Sequence, residues 1–178
     1  MKKTLILAVL TLLLVASPAM AKEGFYLGAY IPVNHISGDI SNLDNGGGLA
    51  ARAGIGFNKY LALEGSIFKT RHDVDGGGTD DFKGATLDLK LNFPLTGSKI
   101  EPYALIGIGG YRLEGSGFDY KGGGAQFGVG LDMYMYPELS FNVGLTWRNI
   151  TFDSGTPGGV DVDADVRTFD VGITYHFL

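Results

Sequence analysis

From Gly24 to Phe177 the chain alternates apolar with small or polar side chains, in runs split by turn chemistry. A period of two is the signature of a β-strand with two unlike faces. It predicts eight strands, at 24–34, 48–58, 60–70, 82–93, 102–113, 123–135, 138–149 and 166–177. In seven of them the odd positions form an apolar face. Examples are Phe25-Leu27-Ala29-Ile31-Val33, Ala85-Leu87-Leu89-Leu91-Phe93 and Phe169-Val171-Ile173-Tyr175-Phe177, each read at alternate residues. The even faces carry Arg52, Glu64, Asp88, Lys90, Asp132, Arg148 and Asp170. The fifth strand, Tyr103 to Tyr111, is apolar on both faces and cannot be assigned from its pattern; Arg112 and Glu114 are grouped with the even set.

Connections alternate in length. Residues 58–60, 94–101 and 136–138 are the shorter ones, whereas 35–47, 71–81, 114–122 and 150–165 are longer and rich in Gly, Asp, Asn and Ser. Strands of about ten residues, with short turns at one end and long loops at the other, describe a transmembrane β-barrel. The expected fold is therefore all-β: an eight-stranded antiparallel up-and-down transmembrane barrel, with both termini at the short-turn, periplasmic end. A soluble barrel would bury its apolar face. Here that face is aromatic near the short turns (Phe25, Phe57, Phe93, Tyr103, Phe141, Tyr175, Phe177), as a headgroup-level girdle requires. Trp147, Phe169 and Tyr111 are expected in the opposite girdle.

An eight-stranded barrel is just wide enough inside for side chains. Arg52, Lys90, Arg112 and Arg148 are then set against Glu64, Asp88, Glu114, Asp132 and Asp170. Desolvated charges persist only when paired, so the expectation is a salt-bridge network that plugs the lumen. Interior glycines such as Gly54 and Gly130 would leave room for long side chains opposite.

The first residues place this barrel in an export route. Lys2 and Lys3 precede an apolar run from Leu5 to Val15, and Ala19-Met20-Ala21 offers a small-x-small cleavage site. That is the plan of a secretory signal peptide over 1–21, leaving 22–178 as the barrel domain. Removing Lys2 and Lys3 leaves 12 basic residues against 19 acidic, a net of −7. Such a chain is a poor match for nucleic acid. Without cysteine it has neither disulfide nor thiolate chemistry.

Candidate chemistry is sparse. The Gly triplets at 46–48, 76–78 and 122–124 lack the Lys-Ser/Thr and helix of a phosphate loop and read as loop tips. His35, Ser37 and Asp39 could be assembled into a hydrolase but match no spacing that requires one. Asp73, Asp75, Asp80 and Asp81, with Asp161, Asp163 and Asp165, fit a solvated acidic rim better than a Ca²⁺ or Mg²⁺ loop. Three scattered histidines (His35, His72, His176) do not make a transition-metal site. No catalytic, metal or cofactor site is expected.

Gly24-Phe25-Tyr26-Leu27-Gly28, the strand from Pro102 to Gly109 and the terminal strand together resemble the small outer-membrane β-barrel proteins of OmpA, OmpX and OmpW type. The resemblance covers 22–178. It implies an outer-membrane home in a Gram-negative envelope, among outer-membrane lipids and lipopolysaccharide. It also implies insertion by the barrel-assembly machinery, with Asp170, Gly172, Tyr175 and Phe177 as the assembly signal. The family usually ends on the aromatic, whereas here Leu178 follows Phe177. The family hosts adhesins, lipid-active enzymes, receptors for small hydrophobic compounds and stabilisers. The expected role is a non-enzymatic structural or surface-interaction one through long loops. The alternatives are a narrow conduit or binding protein for small hydrophobic compounds, as in the OmpW-like branch, and a lipid A hydrolase. No extracellular partner is indicated.

Overall fold

The computed structural model describes residues 23–38, 44–74, 77–115, 118–153 and 161–177. The expected signal peptide lies outside them. Eight strands follow one another: β1 (Gly24–Gly38), β2 (Gly46–Asn58), β3 (Leu61–Asp73), β4 (Thr79–Asn92), β5 (Ile100–Gly115), β6 (Phe118–Tyr136), β7 (Leu139–Asp153) and β8 (Val162–His176). Each pairs antiparallel with its neighbours, and β1 pairs with β8 from Tyr26–His176 to Gly38–Ala164. The sheet is a closed barrel with no edge. Closure lets every strand satisfy its backbone groups on both sides, as hydrocarbon demands. No helix of the described residues is long and apolar enough to cross a membrane, so crossing falls to the strands.

The tight turns have local causes. The Asn58 carboxamide oxygen accepts the backbone N–H groups of Tyr60 (2.8 Å) and Leu61 (3.0 Å), closing the β2–β3 turn. An Asn side chain that caps its own turn in this way is a standard device. The Phe177 N–H reaches the Phe25 carbonyl at 2.9 Å, so the start of β1 and the residue after β8 are tied at the short-turn end.

Even positions point inward in every strand except β5, where the odd ones do. Two expectations are corrected by this. Tyr103 and Tyr111 are not girdle residues; both are buried inside at 4% exposure. Arg112 and Glu114 belong to the outer face, not to the lumen. Ile106 and Ile108 take the lipid side instead, at 61% and 67% exposure.

The strands also run further toward the long-loop end than their apolar faces predict. Residues 35–38, 71–73, 79–81, 114–115, 118–122, 150–153 and 162–165, expected in loops, are strand. Their polarity is reversed. Nearer the short turns the wall is apolar outside and polar inside. Toward the loops the outer face carries Lys69, Arg71, Asp81, Lys83, Arg112 and Asp163, while Phe68, Phe82, Leu113, Ile150, Phe152 and Val166 fill the interior. The lower section is built for lipid around a polar core, and the upper section for water around an apolar one. The alternation of side chains is unbroken; only the solvent beyond the wall changes.

Candidate functional site

Among the described residues, inward side chains fill the interior in successive layers. Near the short turns the Lys90 ammonium meets the Asp132 carboxylate at 2.8 Å and lies 4.1 Å from the centroid of the Tyr103 ring. Asn142 donates to the other Asp132 oxygen at 2.7 Å and accepts from the Thr174 hydroxyl at 3.0 Å. One layer up, the Arg52 guanidinium sits 3.0 Å from Asp170 and 3.7 Å from Glu64, stacked 4.2 Å over the Tyr30 ring. The Tyr26 hydroxyl donates to Glu64 at 2.9 Å. Above that, Arg148 donates from Nε to the Gln126 carbonyl oxygen at 2.7 Å and from Nη1 to the Thr168 hydroxyl. Asp88 accepts from Thr86 at 2.8 Å and from the Gln126 amide. A buried ion stripped of water is tolerable only with such partners.

Seven of the eight residues expected in the lumen network therefore point into it: Arg52, Glu64, Asp88, Lys90, Asp132, Arg148 and Asp170. The eighth, Arg112, is on the outside, its side chain 44% exposed and forked onto Asp119 at 2.7 and 2.8 Å. Glu114 leaves the lumen with it, so that pair removes one charge of each sign. Arg148 is lumenal yet held by neutral groups. Among the described residues two further carboxylates, Asp80 and Glu101, are buried at the two ends. The sequence places long Arg and Tyr side chains opposite the interior glycines, and the structure identifies the tyrosines that complete the network. Tyr26, Tyr30 and Tyr103 each sit on an inward position, and two of them face interior glycines. A Cβ on Gly54 would lie 2.2 Å from the Tyr26 ring, and one on Gly130 would lie 2.4 Å from Tyr103.

Over this polar column lies the aromatic plug. Phe82 is fully buried, stacked on Tyr111 with centroids 6.0 Å apart and planes at 15°, and tilted against Phe68 at 5.3 Å. Arg148 lies 5.0 Å from the Phe68 ring and joins the two zones. The polar column holds a cavity of about 20 Å³, beside Arg52, Asp88, Gln126 and Arg148. That is room for roughly one water molecule.

The rim residues are placed as follows. The His35 imidazole contacts the Asn45 carboxamide at 2.8 Å, and the Ser37 hydroxyl donates to the Asp165 carbonyl at 3.2 Å. Asp39 and Asp75 lie outside the described residues. Asp81 is paired with Lys69 at 2.6 Å. Asp163 accepts from Thr151 at 2.9 Å, and Asp165 accepts from the Asn149 amide. Asp80 faces inward. Among the described residues no three metal-ligating side chains gather.

A closed eight-stranded barrel with an apolar belt and a polar, packed interior defines an outer-membrane protein. The chain matches the family described as outer membrane protein beta-barrel domain over residues 5–177, and it belongs to that family. No curated protein matches it. Among solved structures it is similar to Neisserial surface protein A at 14% identity and a TM-score of 0.75, covering 87% of this chain and 98% of that one. It is similar to Ail, the attachment invasion locus protein of Yersinia pestis, at 20% identity and a TM-score of 0.61, covering 87% and 99%. For OprG of Pseudomonas aeruginosa the values are 17%, 0.56, 90% and 99%. At these identities the likeness is one of fold. The protein thus belongs to the outer membrane of a Gram-negative bacterium.

Proposed function

We propose that this protein is a sealed, non-enzymatic barrel that works at its outer rim and loops, with both termini in the periplasm. One observation carries the reading: among the described residues, the charge network and the aromatic cluster pack against each other, with a cavity of about 20 Å³ in the polar column. A wall that admits no solute leaves the exposed rim as the working surface. The strands lift that rim clear of the lipid, on a stem whose apolar core keeps it rigid in water. The terminal strand, with Tyr175 and Phe177 toward lipid and Asp170 and Gly172 toward the lumen, serves as the signal for the barrel-assembly machinery. Outer-membrane lipids and lipopolysaccharide surround the belt.

A second reading, a binding site or conduit for small hydrophobic compounds, has one observation in its favour: the upper interior is apolar. That interior is packed with Phe82 and Phe152, so entry would require both rings to move. A lipid hydrolase draws least support, since His35 and Ser37 are each engaged with other partners.

Planar-bilayer recording tests the reading. No stable single-channel conductance is expected, and a large one would contradict it. Thr151→Cys on the upper outer face should react with an impermeant maleimide on intact cells. Labelling only after the envelope is opened would reverse the orientation.

A further inference from the structure

The boundary between the lipid-facing wall and the water-facing rim has a fixed order of charge. On β3 the outward side chain after Ile67 is Lys69. On β4 the one after Ala85 is Lys83. On β5 Arg112 follows Ile108 and Gly110, and on β6 Lys121 follows Ala125 and Gly123. Acidic residues come one outward position later on three of these strands: Asp81, Glu114 and Asp119. So the first charge above the belt is a cation on all four strands, in a chain whose formal net charge is −5.

The register sets these cations side by side. Lys69 is opposite Lys83, Lys83 opposite Arg112, and Arg112 opposite Lys121. Directly opposed residues have Cβ atoms about 4.5–5.5 Å apart, and like charges there repel. The carboxylates of the next row answer part of this: Asp81 pairs with Lys69, and Glu114 with Lys83 and Arg112. They do so from the water side. Asp73 on β3 and Asp153 on β7, the latter directly opposite Lys121, also face outward at this level, but the side facing the belt has no anion of its own. The side chains of Lys69, Lys83 and Arg112 remain 50%, 37% and 44% exposed. Long basic side chains at such a boundary rest their stems on apolar surface and hold their charges at headgroup level.

We infer that the Lys69–Lys83–Arg112–Lys121 row on β3–β6 is a docking surface for the phosphate groups of outer-leaflet glycolipids. Below the row small outward residues (Gly65, Ala85, Gly110, Gly123 and Ala125) leave shallow places between Ile67, Leu87 and Ile108. An added Cβ at Gly110 would meet nothing within 4 Å. Acyl chains can therefore lie close to the strands while their phosphates reach the cations. Beyond β6 the sign changes: Asp153 on β7 lies directly opposite Lys121, and Asp163 and Asp165 face outward on β8 with Arg167. Lipid contact is thus directed to one side. The inference rests on the outward orientation proposed above.

The test is lipid retention by the full barrel in native mass spectrometry. The probes are bis-phosphorylated lipid A and the same glycolipid stripped of phosphate. Clustered basic groups gain attraction per charge near an anionic surface, so wild type should retain the phosphorylated probe at least about tenfold better. K69Q/K83Q/R112Q/K121Q should lose that preference, while D163N/D165N on the far side should keep it. Should the quadruple variant not fold, judged by heat-modifiable gel mobility, K69Q/K83Q and R112Q/K121Q should each lose part of it. Equal retention of both probes by wild type would overturn the inference, as would a folded quadruple variant that retains lipid A like wild type. Neither result depends on conductance or on labelling of cells, so failure here and failure of the sealed-rim reading are separable.

Discussion

Lys90 and Asp132 meet at 2.8 Å across the barrel interior, from strands that are not neighbours. The pair bridges β4 and β6 behind β5, with Tyr103 of β5 lying against the ammonium. Removing one partner leaves the other charged and dry. Lys90→Met should cost about 3–5 kcal/mol in urea unfolding from lipid vesicles, and Lys90→Met/Asp132→Leu should recover much of it. A double variant no better than the single would mean the pair is not the dominant partner of either charge.

The reversal of polarity along the wall sets a second expectation. Val129 faces out in the lower part of β6, and Thr151 faces out in the upper part of β7. Val129→Arg should destabilise by about 2–4 kcal/mol as a charge placed against hydrocarbon. Thr151→Arg should stay within about 0.5 kcal/mol, as an ordinary surface change. Similar penalties at the two sites would remove the lipid–water boundary from the wall.

Two interior glycines, Gly54 and Gly130, stand against tyrosine rings. Gly54→Ala would place a methyl group 2.2 Å from the Tyr26 ring. Overpacking of this kind costs about 1–3 kcal/mol. Tyr26→Leu in the Gly54→Ala background should restore part of the loss, with a coupling above roughly 0.5 kcal/mol in a double-mutant cycle. Strict additivity would show that the ring and the glycine are independent.

On the proposed reading, the aromatic plug and the charge column each close the lumen. Phe152→Ala should cost about 3–5 kcal/mol, as truncation of a fully buried ring does. It should open no conductance, because the Arg52, Lys90 and Arg148 layers below it stay in place. A channel appearing in this variant would identify the plug as the sole barrier.

Strand number, order and seven of eight facings were legible in the sequence because each strand has one face that accepts charge. β5 was not, for a physical reason. Ala104, Ile106 and Ile108 on one face and Tyr103, Leu105 and Gly107 on the other are all compatible with lipid, so no side chain forces the choice. A usable signal was present. Gly107 and Gly109 stand where an added Cβ would meet Asp88 and Tyr111, whereas Ile106 and Ile108 are large and aliphatic, as a lipid face requires. The expected strands stop short at the loop end because an apolar odd face marks wall only where lipid lies outside it. Lys69, Lys83 and Arg167 are odd-numbered charges inside the expected strands, and Phe68, Phe82 and Val166 are their apolar even neighbours. Read together, those pairs mark the point where the wall leaves the membrane. The internal partners of Arg148 were beyond reach, since neutral groups such as Gln126 and Thr168 carry no sign to match.

The division of the outer wall between lipid and water can be measured along one strand. The chain has no native cysteine, so single cysteines can be introduced at Leu131, Val129, Phe127, Ala125, Gly123, Lys121 and Asp119, all outward on β6. Each is then spin-labelled in lipid vesicles and relaxed with oxygen or with a water-soluble nickel chelate. Oxygen should dominate from Leu131 to Ala125, and the chelate at Lys121 and Asp119. Oxygen dominance persisting to Asp119, or chelate dominance at Val129, would contradict the account.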